Sequence, residues 1–466
     1  MSCRTDGVYQ DLTNMRVRMP WIQALREQRE AAGRPISGQV ASGQPSAPDL
    51  KPKKMSDSYH KVVRNRILSK KCKLTDTDID HSSGARPMAL RQLFECERSD
   101  TNARLGTLFM DLDALSGVIA YKHTGDSVTT VTAAVDRITI NHPLKSICDL
   151  QLSGQVTYAT GRSSMEVSLS VAQAPERGEQ THVEDVLLSC VFTMVSLDPV
   201  TKKAVAINPL RPETMEEKRL FEMGERNSNE KKALLKRALK KQTPNDEESD
   251  LIHAMWLKQL DYHNQDPNTP TRKPDNLRFM SATVMSSSSI MQPQYRNRHN
   301  FMIFGGFLLK QTFELAFCCC AAFTHSRPTF ISLDPSTFDN AVPVGSVLYL
   351  TATIAYTDQS SIEPSDGVNG KATDEHSDRS TNNSTRVQVR IDSKVRNVEH
   401  GETKPTGQFN YTFLVERDIK IMPQTYSEFM IWVDARRRAK NVRACIENTS
   451  FSGQTQDDGS GGRIHE

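Results

Sequence analysis

One pattern, an apolar helix followed by at least four extended segments, occurs twice in these 466 residues and limits the fold more than any other feature of the chain. The first copy has a helix over 108–121, then extended segments at 128–140, 150–158, 164–171 and 186–195. The second has a helix over 307–323, then segments at 329–338, 347–356, 387–395 and 408–415. Each helix carries an acid among apolar neighbours, Asp113 or Glu314, and a proline follows it by 30 or 29 residues, at Pro143 and Pro343. Alternation such as Val387, Val389, Ile391 gives a strand one buried face, so each sheet needs a cover, which the apolar helix supplies.

These patterns predict an α+β chain in which two curved antiparallel sheets each wrap a long central helix. This is a tandem double hotdog, and pairing its two units edge to edge removes exposed edges. Between the copies the composition turns to charge, from Glu213 through the run 231–241 to Asp250, which reads as a helical, solvated connector. The expected division is 1–54 disordered or targeting, 55–205 first hotdog domain, 206–275 connector, 276–440 second hotdog domain, and 441–466 disordered tail. The stretch 358–385, rich in Ser, Asp, Asn and Gly with no apolar period, reads as a disordered loop within the second domain.

Several function classes fall away. Lys plus Arg is 59 against 56 for Asp plus Glu, a net charge of +3, so no global field points to nucleic acid. Nine cysteines in an irregular set, three of them adjacent at 318–320, form neither a disulfide framework nor a zinc motif, and no metal site is expected. The stretch 301–323 has about the length of a membrane span, but Gly305, Gly306, Lys310, Gln311 and Glu314 interrupt it, so we expect a core helix and no integral membrane segment. The first 50 residues carry Arg4, Arg16, Arg18, Arg26 and Arg29, as an organellar transit segment would, although Asp6, Asp11, Glu27 and Glu30 count against that.

Two constellations carry candidate chemistry. In the first, Asn102 enters a helix bearing Asp111 and Asp113, which point about 200° apart, so only one can face a cleft. Asp113 is the choice because Gly117 follows it by one turn; a helix cap or a pairing with Arg104 is the structural alternative. In the second, Asn297 and His299 precede Gly305-Gly306 at a helix start, and Glu314 follows two turns on. Paired glycines at a helix start leave backbone N–H groups open to an anion or carbonyl oxygen, or else serve close helix packing. His299 can orient water or a ligand carbonyl, or be structural. His123 reads as a cationic cap of a helix C-terminus. Arg162, in a turn, is either a phosphate contact or a solvated side chain.

The run Phe304-Gly305-Gly306-Phe307-Leu308-Leu309, with Asn297 before it and Phe313-Glu314-Leu315-Ala316 after it, resembles the hotdog-fold acyl-CoA thioesterases, and within them the mitochondrial thioesterase 9 type. Met-Ser-Asp-Ser-Tyr at 55–59, Asp-Leu-Asp-Ala-Leu at 111–115, Pro-Val-Gly-Ser at 343–346 and Thr-Tyr-Ser-Glu-Phe-Met at 425–430 extend the likeness over roughly 50–440. The resemblance implies two composite sites, Asn102 with Glu314 and Asn297 with Asp113. At each, the acid polarises a water that attacks an acyl-CoA thioester while helix-start amides and the Asn stabilise the oxyanion. It also implies acyl-CoA as substrate with no cofactor, a homo-oligomer such as a trimer of double-hotdog chains, and a mitochondrial location, with the cytoplasm as the alternative. Half one departs from the pattern: no Gly-Gly follows Leu108, and Asn102 lies 11 residues before Asp113 where Asn297 lies 17 before Glu314. That departure keeps a non-catalytic acyl-CoA binding protein as the second reading. Hydration chemistry on the same fold needs a His–carboxylate pair on the helix, and His299 is off it.

Overall fold

The computed structural model describes residues 50–64, 86–140, 150–174, 186–237, 242–263, 273–297, 302–360 and 384–452. Half one contains β1 (Lys53–Lys54), a 3-10 turn (Ser56–Ser58), β2 (His60–Arg64), α1 (Arg86–Thr124), β3 (Thr129–Val135), β4 (Ile138–Ile140), β5 (Leu150–Ala159), β6 (Ser164–Gln173), β7 (Val186–Leu197) and β8 (Leu210–Arg211). Two helices follow, α2 (Met215–Arg237) and α3 (Asp246–His263). Half two contains β9 (Leu277–Phe279), a 3-10 turn (Met280–Thr283), β10 (Met285–Ile290), α4 (Gly305–Thr324), β11 (Thr329–Leu333), β12 (Ser336–Thr337), β13 (Val347–Ser360), β14 (Ser384–Arg396), β15 (Thr403–Val415), β16 (Lys420–Met422) and α5 (Tyr426–Ser452).

One sheet joins the halves in the order β10-β13-β14-β15-β11-β4-β7-β6-β5-β2, with β3 paired to both β7 and β12. The seam is antiparallel, Leu333 against Ile138 and Ser336 against Val135. The repeat holds in fine detail. A β-bulge interrupts β5 between Val156 and Tyr158 and β13 between Ile354 and Tyr356. At the first, Val156 N–H donates to Ser58 Oγ; at the second, Ile354 N–H donates to Thr283 Oγ1. A bulge re-aims the next side chain, so Tyr158 packs on Phe221 of α2 and Tyr356 on Trp432 of α5.

The shared core lies between the two central helices and the concave sheet, where Phe109, Phe313, Phe330 and Phe413 form ring contacts at 5.3–6.2 Å, all edge-on except the tilted Phe313–Phe413 pair. Burying such a side chain contributes roughly 1.5–3 kcal/mol. The apolar helix of membrane-span length belongs to this core: Leu309, Ala316 and Cys320 are fully buried. Cys319 and Cys320 are buried and Cys318 is exposed, because adjacent residues lie on different helix faces, so Cys318 is not a core packing residue.

Other expectations change. The first helix is much longer than 108–121, running unbroken over 39 residues. The connector is helical, but α2 is more than a solvated spacer. Lys231 Nζ lies 2.7 Å from Asp136 Oδ2 and 3.3 Å from Glu166 Oε2, which fixes α2 onto the sheet. Asp334 meets Arg438 of α5 at 3.4 Å in the corresponding place of half two. Helix α5 continues through residue 440 to Ser452, so the boundary drawn at 440 falls inside a helix whose apolar face, with Phe429, Trp432 and Val433, packs on half two. Strand β13 extends to Ser360 and β14 starts at Ser384, so both ends of the expected 358–385 loop are strand; 361–383 lie outside the described residues, as do 1–49 and 453–466.

Candidate active site

Helices α1 and α4 lie antiparallel and close: Gly106 faces Lys310 and Glu314, while Met110 and Asp113 face Gly305 and Gly306. Only a glycine allows the closest approach, since a Cβ on Gly306 would sit 2.9 Å from Met110 Cα and 3.0 Å from Asp113 Cβ. Asp113 is 1% exposed, whereas Asp111 on the other face is half-buried. Thr132 Oγ1 donates to Asp113 Oδ1 at 2.6 Å, and the Gly306 backbone N–H donates to Oδ2 at 2.5 Å. Burial pushes the Asp113 carboxyl up to about 6, and these two hydrogen bonds to its charged form oppose the rise. The site therefore holds a desolvated, oriented carboxylate at the seam of the two halves.

The helix-start amides divide their work. Phe304, extended at φ −67 and ψ 131, leads into α4 without a side-chain cap. Gly306 N–H is engaged by Asp113, so it is not an open donor as expected; the Gly305 N–H has no partner among the described residues. Asn297 lies on the bridge that brings the chain to this point. Its N–H donates to Met302 C=O at 2.7 Å, Phe304 N–H donates to Tyr295 C=O, and the Tyr295 ring stacks on Phe307 at 3.8 Å. The Asn297 side-chain oxygen is buried and has no hydrogen-bond partner among the described residues. His299 lies outside the described residues.

The second composite site is not assembled in the same way. Glu314 is exposed and pairs with Lys310 at 3.7 Å and Gln311 at 3.3 Å. Its partner element differs too: Asn102 sits inside α1, not at its entry, and its side chain lies outside the described residues. The amides near Gly106 are mid-helix groups, so they cannot serve as helix-start donors. Arg162 is exposed in the β5–β6 turn, its carbonyl accepting from Ile207 N–H, and it takes no part in the Asp113 cluster. His123 is 1% exposed, bonds the Asn208 carbonyl at 2.7 Å, and is held below the usual histidine range by burial, which makes it a neutral core group and not a cationic cap.

Sequence reasoning missed Thr132. Its nineteen-residue separation from Asp113 has no helical or strand period, and its aim depends on the bulge between Thr132 and Ala134 in β3.

No protein-family model matches the chain. Mouse "Acyl-coenzyme A thioesterase 10, mitochondrial" is 31% identical over 351 residues, covering 73% of this chain and 72% of its own. "Acyl-coenzyme A thioesterase 2, chloroplastic" of Humulus lupulus is 32% identical over 354 residues, covering 70% and 79%. Among solved structures, a Staphylococcus aureus acyl-CoA hydrolase in complex with butyryl coenzyme A aligns at TM-score 0.31 and 16% identity, over 39% of this chain and 99% of its own. With the helix, Gly-Gly and carboxylate pattern in place and this identity across nearly three quarters of the chain, the protein belongs to the acyl-CoA thioesterase family, in its thioesterase 9 and 10 group.

Proposed function

We propose that the chain is two hotdog units in tandem and hydrolyses acyl-CoA thioesters to free acid and CoA at one composite site, built from Asp113 and Thr132 of half one and Gly305, Gly306 and Asn297 of half two. The observation that carries this reading is the buried Asp113 carboxylate, raised to about 6 and held at both oxygens. Ionised near neutral pH, it takes a proton from water as the water oxygen attacks the thioester carbonyl. The developing oxyanion is met by the Gly305 N–H and the Asn297 side chain. Collapse breaks the C–S bond, and CoA leaves as a thiolate that takes the proton from Asp113. A thiolate leaves readily, so the reaction as written calls for no metal or cofactor.

Among the described residues, the Glu314 site shows no arrangement equivalent to that around Asp113. The binding-only alternative finds its support there, and we assign no turnover to Glu314. The names of the mouse relatives, together with the Arg-rich first 50 residues, support a mitochondrial location, with the cytoplasm as the alternative. We expect a trimer of chains, which the solution mass will test. Thiol release from acyl-CoAs of short, medium and long chain, compared between the wild type, Asp113→Asn and Glu314→Gln, tests the enzyme reading. Release lost with Asp113→Asn alone supports it, and tight binding without release from any chain length overturns it.

A further inference from the structure

Strand β3 has two edges. One pairs with β7 from Thr129 to Val135, but the other meets β12 only at Ala134 and Val135, with Phe338 N–H donating to the Ala133 C=O next to them, so among the described residues Thr129 to Thr132 have no strand on that side. A side chain takes the missing strand's place. The Tyr121 hydroxyl, on α1 eight residues after Asp113, accepts the Thr130 N–H at 2.9 Å and donates to the Thr130 C=O at 3.3 Å. Helix α1 is thereby fastened to β3 at two rungs, Tyr121 to Thr130 and Asp113 to Thr132. Thr130 and Thr132, two apart on the strand, share a face, and a shift of β3 at the first rung moves the hydroxyl at the second.

The duplicated half supplies an internal control. The helix ends match: Thr124 Oγ1 donates to Ala120 C=O as Thr324 does to Cys320 C=O, and Gly125 N–H donates to Tyr121 C=O as His325 N–H does to Ala321 C=O. Tyr121 thus corresponds to Ala321. The β3 bulge between Thr132 and Ala134 matches the β11 bulge between Phe330 and Ser332, so Thr132 corresponds to Phe330. The half without the threonine also lacks the tyrosine.

We infer that Tyr121 is a positioning residue for hydrolysis, clamping the bare edge of β3 so that the Thr132 hydroxyl stays on the Asp113 carboxylate. The inference rests on Asp113 being the base. That carboxylate faces the Thr132 hydroxyl and the Gly306 amide, and no charged side chain among the described residues contributes to its titration.

The test compares pH profiles of acyl-CoA hydrolysis for the wild type, Tyr121→Phe, Thr132→Val, the double variant and Asp113→Asn. Tyr121→Phe keeps the ring and removes the hydroxyl. It lowers kcat by roughly three- to tenfold with KM within about twofold, and moves the acid limb of kcat/KM upward by roughly half to one pH unit. Thr132→Val moves the limb the same way, and the double variant moves it no further than Thr132→Val alone. An unmoved limb in Tyr121→Phe, or shifts that add in the double variant, overturns the clamp. Full activity in Asp113→Asn instead overturns the base assignment and is read separately. Should Tyr121→Phe fold poorly, hydrogen exchange of the β3 peptide in Tyr121→His decides: protection equal to wild type overturns the clamp, and selective loss of protection supports it.

Discussion

Phe313 holds on α4 the position that Asp113 holds on α1. The matched helix ends at Thr124 and Thr324 and the facing glycines Gly106 and Gly306 set the register, and in it Asp113 corresponds to Phe313, with Glu314 one residue further on. One residue is 100° of helix rotation, which takes Glu314 out of the core to solvent. The hydrogen-bonded pair Asp113–Thr132 of half one is replaced in half two by the ring pair Phe313–Phe330, whose centroids are 5.6 Å apart. The two halves share the helix-and-strand frame and differ at this pair, polar in one and aromatic in the other.

Asp113→Asn is expected to lower kcat by about 10²–10⁴, the usual contribution of a positioned general base. Glu314→Gln leaves kcat within about twofold, because a solvent-exposed carboxylate paired to Lys310 contributes little. Steady-state thiol release measures both.

The same Asp113→Asn change should stabilise the fold at alkaline pH. The folded carboxyl titrates near 6 against 3.8 unfolded, so the native state binds the proton more tightly. Stability therefore falls as pH rises from about 4 to 6, and the full cost persists above 6, on the order of 3 kcal/mol before lost hydrogen bonds are subtracted. Asn carries no such charge, so its Tm advantage is largest near pH 8 and shrinks as pH drops through 6 toward 4. Thermal melts at four pH values suffice.

Gly305→Ala separates chemistry from folding better than Gly306→Ala. A Cβ at Gly305 would lie 3.1 Å from Asp113 Oδ2 and displace the carboxylate, whereas at Gly306 it would meet backbone at 2.9 Å. Gly306→Ala is expected to cost about 1–3 kcal/mol of stability through overpacking. Gly305→Ala loses kcat with a smaller change in urea midpoint.

Lys231→Met leaves Asp136 and Glu166 buried without their cation, at a cost of about 3–5 kcal/mol. Burial already holds both carboxyls above their ordinary range, with Lys231 opposing the rise. The loss is therefore greatest at high pH and is relieved as pH falls and the two acids protonate. Urea titrations at pH 8 and pH 5.5 read the difference.

Much of this architecture was legible in residue order. The repeated helix-then-strands pattern, the apolar helix at 307–323 and the Gly-Gly at its start follow from local periodicity and residue type, which act within a few turns or one strand; the choice of Asp113 over Asp111 leaned also on the family resemblance. Helix α5 was not legible, because its run Arg436 to Arg438 looks solvated until Arg437 meets Glu248 and Arg438 meets Asp334.

The sequence by itself determined two similar units, each with a carboxylate on an apolar helix, because amphipathic period and glycine conformational freedom are properties of neighbouring residues. Only the tertiary structure decided which carboxylate is buried and who holds it. That outcome depends on a 100° helix phase, on a one-residue bulge in β3 that aims Thr132, and on the packing of α1 against α4, all relations between segments far apart in the chain.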